Sequence, residues 1–183
     1  MNPKLTSKEK LLEISKQIVR EEGIAAVSIR AVAQRGGIAV GSVYNYFSSK
    51  EELLAGMVEA IWDEIFDVSA LDAGKNITAL TEEMLDAVEA GKKKYPDFIR
   101  IHALSFRPED AADGKNKMAL YFEKIKMILR SSLRGSIKRT WPAHVSADDL
   151  ADILFNLIIS QFFIRVNKKG IIGLAETMTG GEK

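Results

Sequence analysis

The sequence contains no cysteine, so it can form neither a disulfide nor a thiolate metal site. It has two histidines, His102 and His144, and no spacing typical of metal ligands or of a nucleophile with its base. Patterns typical of strands are almost absent, and apolar residues recur at helical spacing nearly throughout. We therefore expect an all-α protein without a metal, a cofactor or catalytic residues.

Long hydrophobic runs are also missing. The longest uncharged, mostly apolar stretch is Ile153 to Ile164, which is shorter than the roughly 20 residues that span a bilayer. The apolar core of a signal peptide is absent from the first ten residues, MNPKLTSKEK. From these features we expect a cytoplasmic protein with no membrane partner.

The charge is nearly balanced overall but unevenly distributed. The net charge of the 183 residues is +1, yet residues 1–50 hold eight Lys and Arg against four Glu. The remainder is therefore slightly acidic. A basic N-terminal part on a mildly acidic body favours contact with a polyanion at one end of the molecule.

Capping residues and glycines divide the chain into helices. Three N-terminal helices are predicted, over Lys8 to Glu22, Ser28 to Gly36-Gly37, and about Ala39 to Phe47. The first has a possible capping box of Thr6 with Glu9 and ends at Gly23. The helices predicted for the body are 49–68, 77–94, 97–106, 117–138 and 146 to about 167. Capping boxes of Ser49 with Glu52 and of Ser146 with Asp149 begin the first and the last of them. Loops are predicted at 70–75, 107–116 and 140–145, where Gly or Pro interrupts the pattern.

The first three helices have the spacing of a helix-turn-helix, which places one exposed helix in the major groove of DNA. With Val43 facing inward, Gly41 and Asn45 point almost directly outward at about 100° per residue, and Ser42 and Tyr44 lie on the flanks. Small residues at 41 and 42 permit close approach to base edges. Asn45 has the donor and acceptor that pair with an adenine edge.

Phosphate contacts are expected around this helix. Ser28 and Lys50 each begin a helix, where free N–H groups favour anions, and Tyr44 offers a hydroxyl. Each feature alone has an ordinary structural explanation, since serine caps are common in helical proteins and aromatic side chains at helical spacing are usually core. Phe47 is assigned to the core, and Tyr46 fits the core or the surface equally well.

The combination resembles the DNA-binding region of TetR-family transcriptional regulators. The matching residues are Gly23, Ser28, Ala33, Gly37, Gly41, Tyr44, Phe47, Lys50, Glu51 and Leu53. Gly36 and Ala39 depart from the family pattern, which usually has Ala at the first position and often a capping Ser or Thr at the second. The resemblance implies phosphate contacts from Ser28, Tyr44, Tyr46 and Lys50, and base contacts from Val40 to Asn45.

The last long helix has two apolar faces, although a surface helix in a monomer needs only one. One face consists of Leu150, Leu154 and Leu157. The other face is assigned to a dimer interface and consists of Phe155, Ile158, Ile159, Phe162 and Val166. A homodimer is the economical explanation, and a helix enclosed in its own domain is the alternative. The family resemblance implies pairing through the last two helices.

The middle helices carry many aromatic and Met residues. They are Trp62, Phe66, Met84, Phe98, Ile101, His102, Phe106, Met118, Tyr121, Phe122 and Ile125. The resemblance implies that the corresponding helices surround an effector pocket, for a ligand that is apolar or aromatic. The residues alone favour an ordinary hydrophobic core.

The sequence therefore predicts a helix-turn-helix DNA-binding domain over 1–48. A helical effector-binding and dimerisation domain is predicted over 49–183, with helix 49–68 connecting the two. The expected function is a sequence-specific regulator, a repressor released from a palindromic operator by a small effector. A helical small-molecule-binding protein or enzyme without DNA binding is the alternative, together with an interaction module that has lost DNA binding.

Overall fold

The computed structural model describes residues 6–96, 111–136, 145–164 and 166–179, and all regular elements in these ranges are helical. They are α1 (Lys8–Glu22), a 3₁₀ turn (Ile24–Ala26), α2 (Ile29–Gly36), α3 (Val40–Tyr44), α4 (Lys50–Phe66), α5 (Ile77–Lys94), α6 (Ala111–Ser136), α7 (Ala147–Ser160) and α8 (Lys168–Thr179). The all-α prediction is confirmed. None of the helices within these ranges combines the length and hydropathy required to cross a membrane.

The chain divides into two compact units. One lies within Met1–Glu64 and Lys94–Asn116, the other within Ile65–Lys93 and Lys117–Lys183. The first unit contains α1 to α3 and most of α4, and the second contains most of α5 with α7 and α8.

Local signals set the ends of the first helices. The hydroxyl of Ser7, rather than the predicted Thr6, accepts a hydrogen bond from Lys10 N at 3.2 Å and caps α1. Gly23 ends α1 with φ 82°, and Gly37 ends α2 in the left-handed conformation with φ 61°. Glycine adopts both backbones without the steric cost that a Cβ would bring.

The start of α4 modifies the predicted capping box. Ser49 Oγ accepts from Glu52 N at 3.1 Å, as expected. The carboxylate of Glu52 instead accepts from the backbone N–H of Ser48 at 2.6 Å and from its hydroxyl at 2.7 Å. The two serines therefore share the capping that a standard box assigns to one residue.

The first unit encloses a small hydrophobic core to which α1 to α4 all contribute. Leu11, Val32, Val43 and Phe47 are fully buried, as is Leu53 near the start of α4. This core fixes α3, which has only five residues and no side-chain cap at Ala39. Packing by Val43 and Phe47 thus replaces the missing cap.

Ion pairs join α6 and α7 in the second unit. Arg130 Nη2 lies 3.3 Å from Asp152 Oδ1, and Lys126 Nζ lies 3.3 Å from the same oxygen. The capping box of Ser146 with Asp149 at the start of α7 is confirmed. These interactions fix the first two turns of α7.

Two predicted helix bounds in the body of the chain, the start of α6 and the end of α7, are wrong. α6 begins at Ala111, inside the predicted loop 107–116, because Ala favours helix strongly enough to offset one interior Gly. α7 ends at Ser160, short of the predicted Asn167, and Lys92 Nζ donates to the carbonyl of Gln161 just beyond its end at 2.7 Å. Phe162 and Val166 therefore lie outside α7.

Candidate nucleic-acid interface

The outward face of α3 is open to solvent in the described part of the chain. Tyr44 is 53% exposed and Val40 39%, Gly41 and Asn45 are exposed, and Ser42 is half-buried. Val43, on the opposite face, is fully buried. The structure thus places the predicted base-reading residues together on one accessible surface.

The hydroxyl of Ser28 caps α2 by accepting a hydrogen bond from Ala31 N at 3.1 Å. Because this bond uses only an acceptor lone pair, the hydroxyl proton remains available to a phosphate oxygen. Lys50 is exposed at the start of α4. Both positions keep the geometry that the predicted phosphate contacts require.

The hydroxyl of Tyr46 makes a contact other than the phosphate contact predicted for it. It is 37% exposed, and its hydroxyl donates to the carbonyl oxygen of Thr6 at 2.6 Å. The hydroxyl proton is therefore used within the protein, and the remaining lone pairs repel a phosphate oxygen. In this structure Tyr46 positions the chain ahead of α1 and offers no free donor to DNA.

Only some of the basic side chains of the first unit are free of ion pairs and can contact a phosphate. Arg35 forms ion pairs with Glu21 and Glu22, so its charge is largely neutralised within the protein. Arg30 and Lys50 are exposed, and neither has an ion pair within the described ranges. The usable positive charge is thus smaller than the sequence balance indicates.

Lys8 is a candidate contact that sequence reasoning missed. Its Nζ lies 5.5 Å from the centroid of the Phe47 ring, which orients the side chain by a cation–π interaction. The proximity of a Lys at the first residue of α1 to the aromatic residue after α3 depends on the tertiary fold. No local sequence signal indicates it.

A polar cluster within the first unit connects α1, the end of α4 and the residue that follows α5. Glu64 Oε2 lies 2.5 Å from Lys16 Nζ and accepts from the hydroxyl of Tyr95 at 3.0 Å, and Lys94 also pairs with Glu64. Arg20 Nη1 donates to Tyr95 Oη at 3.0 Å. Tyr95 is only 1% exposed, so its polar atom depends on these partners.

The cluster shifts two pKa values in opposite directions. Partial burial alone would raise the pKa of Glu64, but the hydrogen bonds from Lys16 and Lys94 outweigh it and lower that pKa to about 2. Burial is the main cause that raises the pKa of Tyr95 to about 12. Glu64 is thus ionised and Tyr95 neutral at physiological pH.

The residues predicted to line an effector pocket are mostly buried. Trp62 belongs to the first unit, whereas the other described members belong to the second, namely Phe66, Met84, Met118, Tyr121, Phe122 and Ile125. All but Phe122 are at most 7% exposed, and the Phe122 ring lies 5.2 Å from that of Phe155. Phe98, Ile101, His102 and Phe106 lie outside the described residues.

One buried polar group accompanies these apolar side chains. Thr81 is fully buried on α5, one turn before Met84, and its hydroxyl has no hydrogen-bond partner among the described residues. Within the same residues, no group of three His, Asp or Glu side chains is arranged to hold a metal ion.

The predicted dimer face requires a correction. Phe155, Ile158 and Phe162 are each less than 5% exposed in the single chain, so a partner would bury little more of them. They belong to the core of the second unit because α7 turns that face toward its own chain. Ile159 and Val166 remain half-buried.

Other apolar side chains are exposed instead, one in the middle of α7 and two just beyond its end. Ile153 is 47% exposed, Phe163 48% and Ile164 60%. The first apolar face named in the sequence, Leu150 with Leu154, is also core. Helical periodicity thus correctly indicated more apolar residues than one core face needs, but it did not identify Ile153, Phe163 and Ile164 as the exposed ones.

Comparison with known proteins agrees with this geometry. The family model described as bacterial regulatory proteins, tetR family, matches residues 11–57, which include α2, α3 and the start of α4. The repressor KstR2 of Rhodococcus jostii is 30% identical over 86 residues, 44% of this chain and 42% of that protein. The match therefore spans less than half of KstR2.

Two further relatives match over most of the chain. The nucleoid occlusion factor SlmA of Glaesserella parasuis is 26% identical over 170 residues, 87% of this chain and 82% of that protein. The structure of BioQ with its double-stranded DNA operator has a TM-score of 0.61 at 18% identity, covering 96% of this chain and 99% of BioQ. The latter likeness concerns the fold alone.

These matches place the chain among DNA-binding regulators rather than enzymes. The family model covers the same residues that form the exposed face of α3 and the capped starts of α2 and α4. Residues 11–57 thus carry the DNA-binding region typical of the tetR family of bacterial regulatory proteins.

Proposed function

We propose that this protein is a sequence-specific transcriptional regulator that binds a palindromic operator as a homodimer and is released by a small apolar or aromatic effector. The observation that carries the proposal is the exposed face of α3, where Gly41, Tyr44 and Asn45 are accessible. A regulator of this kind acts where the DNA is, in the cytoplasm. The proposed domains are 1–48 for DNA binding and 49–183 for the effector and dimerisation.

Each group on this face has a proposed task at the DNA. The amide of Asn45 pairs with an adenine edge, and Ser42 supplies a hydroxyl to a neighbouring base. Tyr44, Ser28 and Lys50 contact phosphates and fix the register of α3 in the groove. Arg30 and Lys8 add positive charge along the same unit.

Dimerisation is proposed through the exposed apolar side chains Ile153, Phe163 and Ile164. Large apolar side chains that remain exposed favour a protein partner over solvent. A second copy is the proposed partner because two helix-turn-helix units on a two-fold axis can read half-sites about 34–36 Å apart. Ile159 and Val166 are retained as contributors at the margin of this surface.

The effector is proposed to bind among the buried aromatic and Met residues of the second unit. Thr81 supports this assignment, since a fully buried hydroxyl without a partner is costly and would gain a bond from a ligand. The helix α4 is continuous from Lys50 at the DNA face to Phe66, so a shift at one end displaces the other. Two discrete positions of α4 would couple effector binding to DNA release.

Selection from random-sequence duplexes with the wild-type protein, followed by anisotropy titrations, tests DNA recognition. We expect a palindromic sequence whose affinity falls steeply with salt. The double variant Tyr44→Phe, Lys50→Ala should bind about tenfold more weakly and with a flatter salt dependence. Lys124→Ala, which removes an exposed lysine from α6, is the matched control and should bind normally; equal binding by all three proteins would contradict the assignment.

The similarity to the nucleoid occlusion factor SlmA favours a second candidate function, DNA binding in nucleoid occlusion. A reporter gene behind the selected duplex distinguishes the two functions. Repression that requires Tyr44 and Lys50 supports the regulator. Operator binding without any effect on transcription from neighbouring promoters supports the SlmA-like function.

A further inference from the structure

Two of the places where the chain passes between its units are joined by an ion pair. The chain leaves the first unit between Glu64 and Ile65, within α4. It returns to the first unit between Lys93 and Lys94, at the end of α5. The side chains of Glu64 and Lys94 pair with each other. The first unit therefore holds α4 and the end of α5 together at the points where each continues into the second unit.

α1 binds these two segments at successive turns. Lys16 Nζ lies 2.5 Å from Glu64 Oε2 of α4. Arg20 Nη1 donates to the hydroxyl of Tyr95, the residue after α5, at 3.0 Å. Lys16 and Arg20 are four residues apart and so lie on one face of α1, and Glu13 pairs with both, at 2.7 and 2.9 Å. One face of α1 thus holds α4 at one turn and the residue after α5 at the next.

The hydroxyl of Tyr95 links the two attachments of α1. It accepts from Arg20 and donates its proton to Glu64 Oε2 at 3.0 Å. Tyr95 is 1% exposed, and Arg20 also lies over its ring, 5.9 Å from the centroid. A polar group buried to this extent is costly to leave without a partner. The end of α5 therefore cannot move away from α1 and α4 without breaking these hydrogen bonds.

The position of α1 in turn determines the position of α3. α1 packs on α2, and α2 packs on α3. Lys8 at the start of α1 also lies 5.5 Å from the ring centroid of Phe47, which follows α3. Because packed helices move as discrete bodies rather than deforming continuously, a displacement of α1 relative to α4 displaces α3 as well.

We propose that the Tyr95 hydroxyl couples the second unit to the DNA-binding helices by tying the end of α5 to α1. This inference rests on the proposed function and adds to the route through α4 a second route, which runs from α5 through Tyr95 and Arg20 to α1. Tyr95 is a positioning residue, because it acts through α1 rather than by contact with DNA. Since coupling between two sites is reciprocal, DNA bound at α3 must also change the behaviour of α5 in the second unit.

Amide hydrogen exchange tests this route with DNA as the only ligand. Saturating the wild type with the duplex recovered by selection should slow exchange about fivefold over residues 84–93 of α5, in addition to protecting 40–46. Tyr95→Phe keeps the ring and removes the hydroxyl. At saturation this variant should keep the protection of 40–46, whereas the slowing over 84–93 should fall below about twofold. A merely structural role for Tyr95 would lower the melting temperature and leave the response of α5 in place.

Two further variants make the test specific. Arg20→Met removes the other partner in the same route and should also abolish the response over 84–93, which keeps the proposal testable if Tyr95→Phe fails to fold. Tyr46→Phe is the matched control. It removes a tyrosine hydroxyl bond of the same unit, to the Thr6 carbonyl at 2.6 Å, but lies outside the route. It should keep the full response of α5.

The outcomes separate this inference from the proposed function. Protection of 40–46 with an undiminished response over 84–93 in Tyr95→Phe or in Arg20→Met shows that the coupling does not need this route, and overturns the inference alone. A wild type that is protected over 40–46 but not over 84–93, or a Tyr46→Phe variant that loses the response, overturns it too. No protection of 40–46 in the wild type contradicts both the inference and the proposed function.

Discussion

The carboxylate of Glu64 accepts a hydrogen bond from the hydroxyl of Tyr95 at 3.0 Å, across 31 positions of the chain. The same carboxylate binds Lys16 of α1, so three separate segments meet at one side chain. Charged and hydrogen-bonded groups with little exposure are costly to leave unpaired. The position of α1 in the first unit therefore depends on an interaction at the far end of α4.

Glu64→Gln should destabilise the protein by about 2 kcal/mol, since hydrogen bonds to a charged group are lost together with the ion pairs to Lys16 and Lys94. Urea denaturation at pH 7 measures the change. Glu82→Gln, at an exposed position of α5, is the control and should alter stability by less than about 0.5 kcal/mol. Equal stability of both variants would show that the cluster contributes nothing.

The lowered pKa of Glu64 predicts a specific acid sensitivity. Its pKa falls from the usual 4.5 to about 2 in the folded protein, so the unfolded state binds the proton first as pH decreases. The stability that ionised Glu64 contributes is complete above about pH 4.5 and is lost as pH falls toward 2. The difference in unfolding free energy between the wild type and Glu64→Gln should therefore shrink over this range; a constant difference would contradict the shift.

Arg30 and Arg35 are both on α2 but should differ in their effect on DNA binding. Arg30→Ala should reduce the slope of log affinity against log salt by about one, because it removes a charge available to a phosphate. Arg35→Ala should leave the slope nearly unchanged, since Arg35 is already paired with Glu21 and Glu22. Equal slopes for the two variants would indicate that those pairs open when DNA binds.

Tyr46→Phe distinguishes a positioning role from a phosphate contact. The variant loses the bond to the Thr6 carbonyl and should be about 1 kcal/mol less stable, with an unchanged salt slope for operator binding. Tyr44→Phe should show the reverse, normal stability with weaker binding. A reduced salt slope in Tyr46→Phe would restore the phosphate role predicted from the sequence.

The proposed dimer surface is tested by Ile164→Glu. A charge at this 60% exposed position should disrupt pairing, so sedimentation should show a monomer that binds a half-site only weakly. Met127→Glu, at a 62% exposed position of α6, is the matched control and should remain dimeric. A dimeric Ile164→Glu would place the interface elsewhere.

Local chemistry explains which parts of the fold were predictable. The bounds of α1 and the end of α2 agree with the sequence because serine caps and glycines act within one turn. The start of α5 agrees because Asn76 caps it by accepting a hydrogen bond from Ala79 N. The end of α7 was wrong because the apolar pattern continues to Ile164. The hydrogen bond from Lys92 of α5 to Gln161 and the burial of Phe162 depend on distant parts of the chain, so the sequence around Gln161 does not indicate them.

In the candidate site, too, the features that depend on local sequence were predictable and those that depend on tertiary contacts were not. The direction of each α3 side chain follows from helical periodicity once Val43 is taken as core. The partner of Tyr46 is 40 residues away, and the neutralisation of Arg35 depends on how α1 packs on α2. Such contacts join distant segments, and periodicity carries no information about them.

Amide hydrogen exchange of the wild-type protein, with and without the selected duplex, tests the central claim most directly. The account predicts slower exchange over 28–31, 40–46 and 50–53 when the duplex is present, and no such protection with a scrambled duplex of equal length. Protection elsewhere in the chain with unchanged exchange across 40–46 would contradict it.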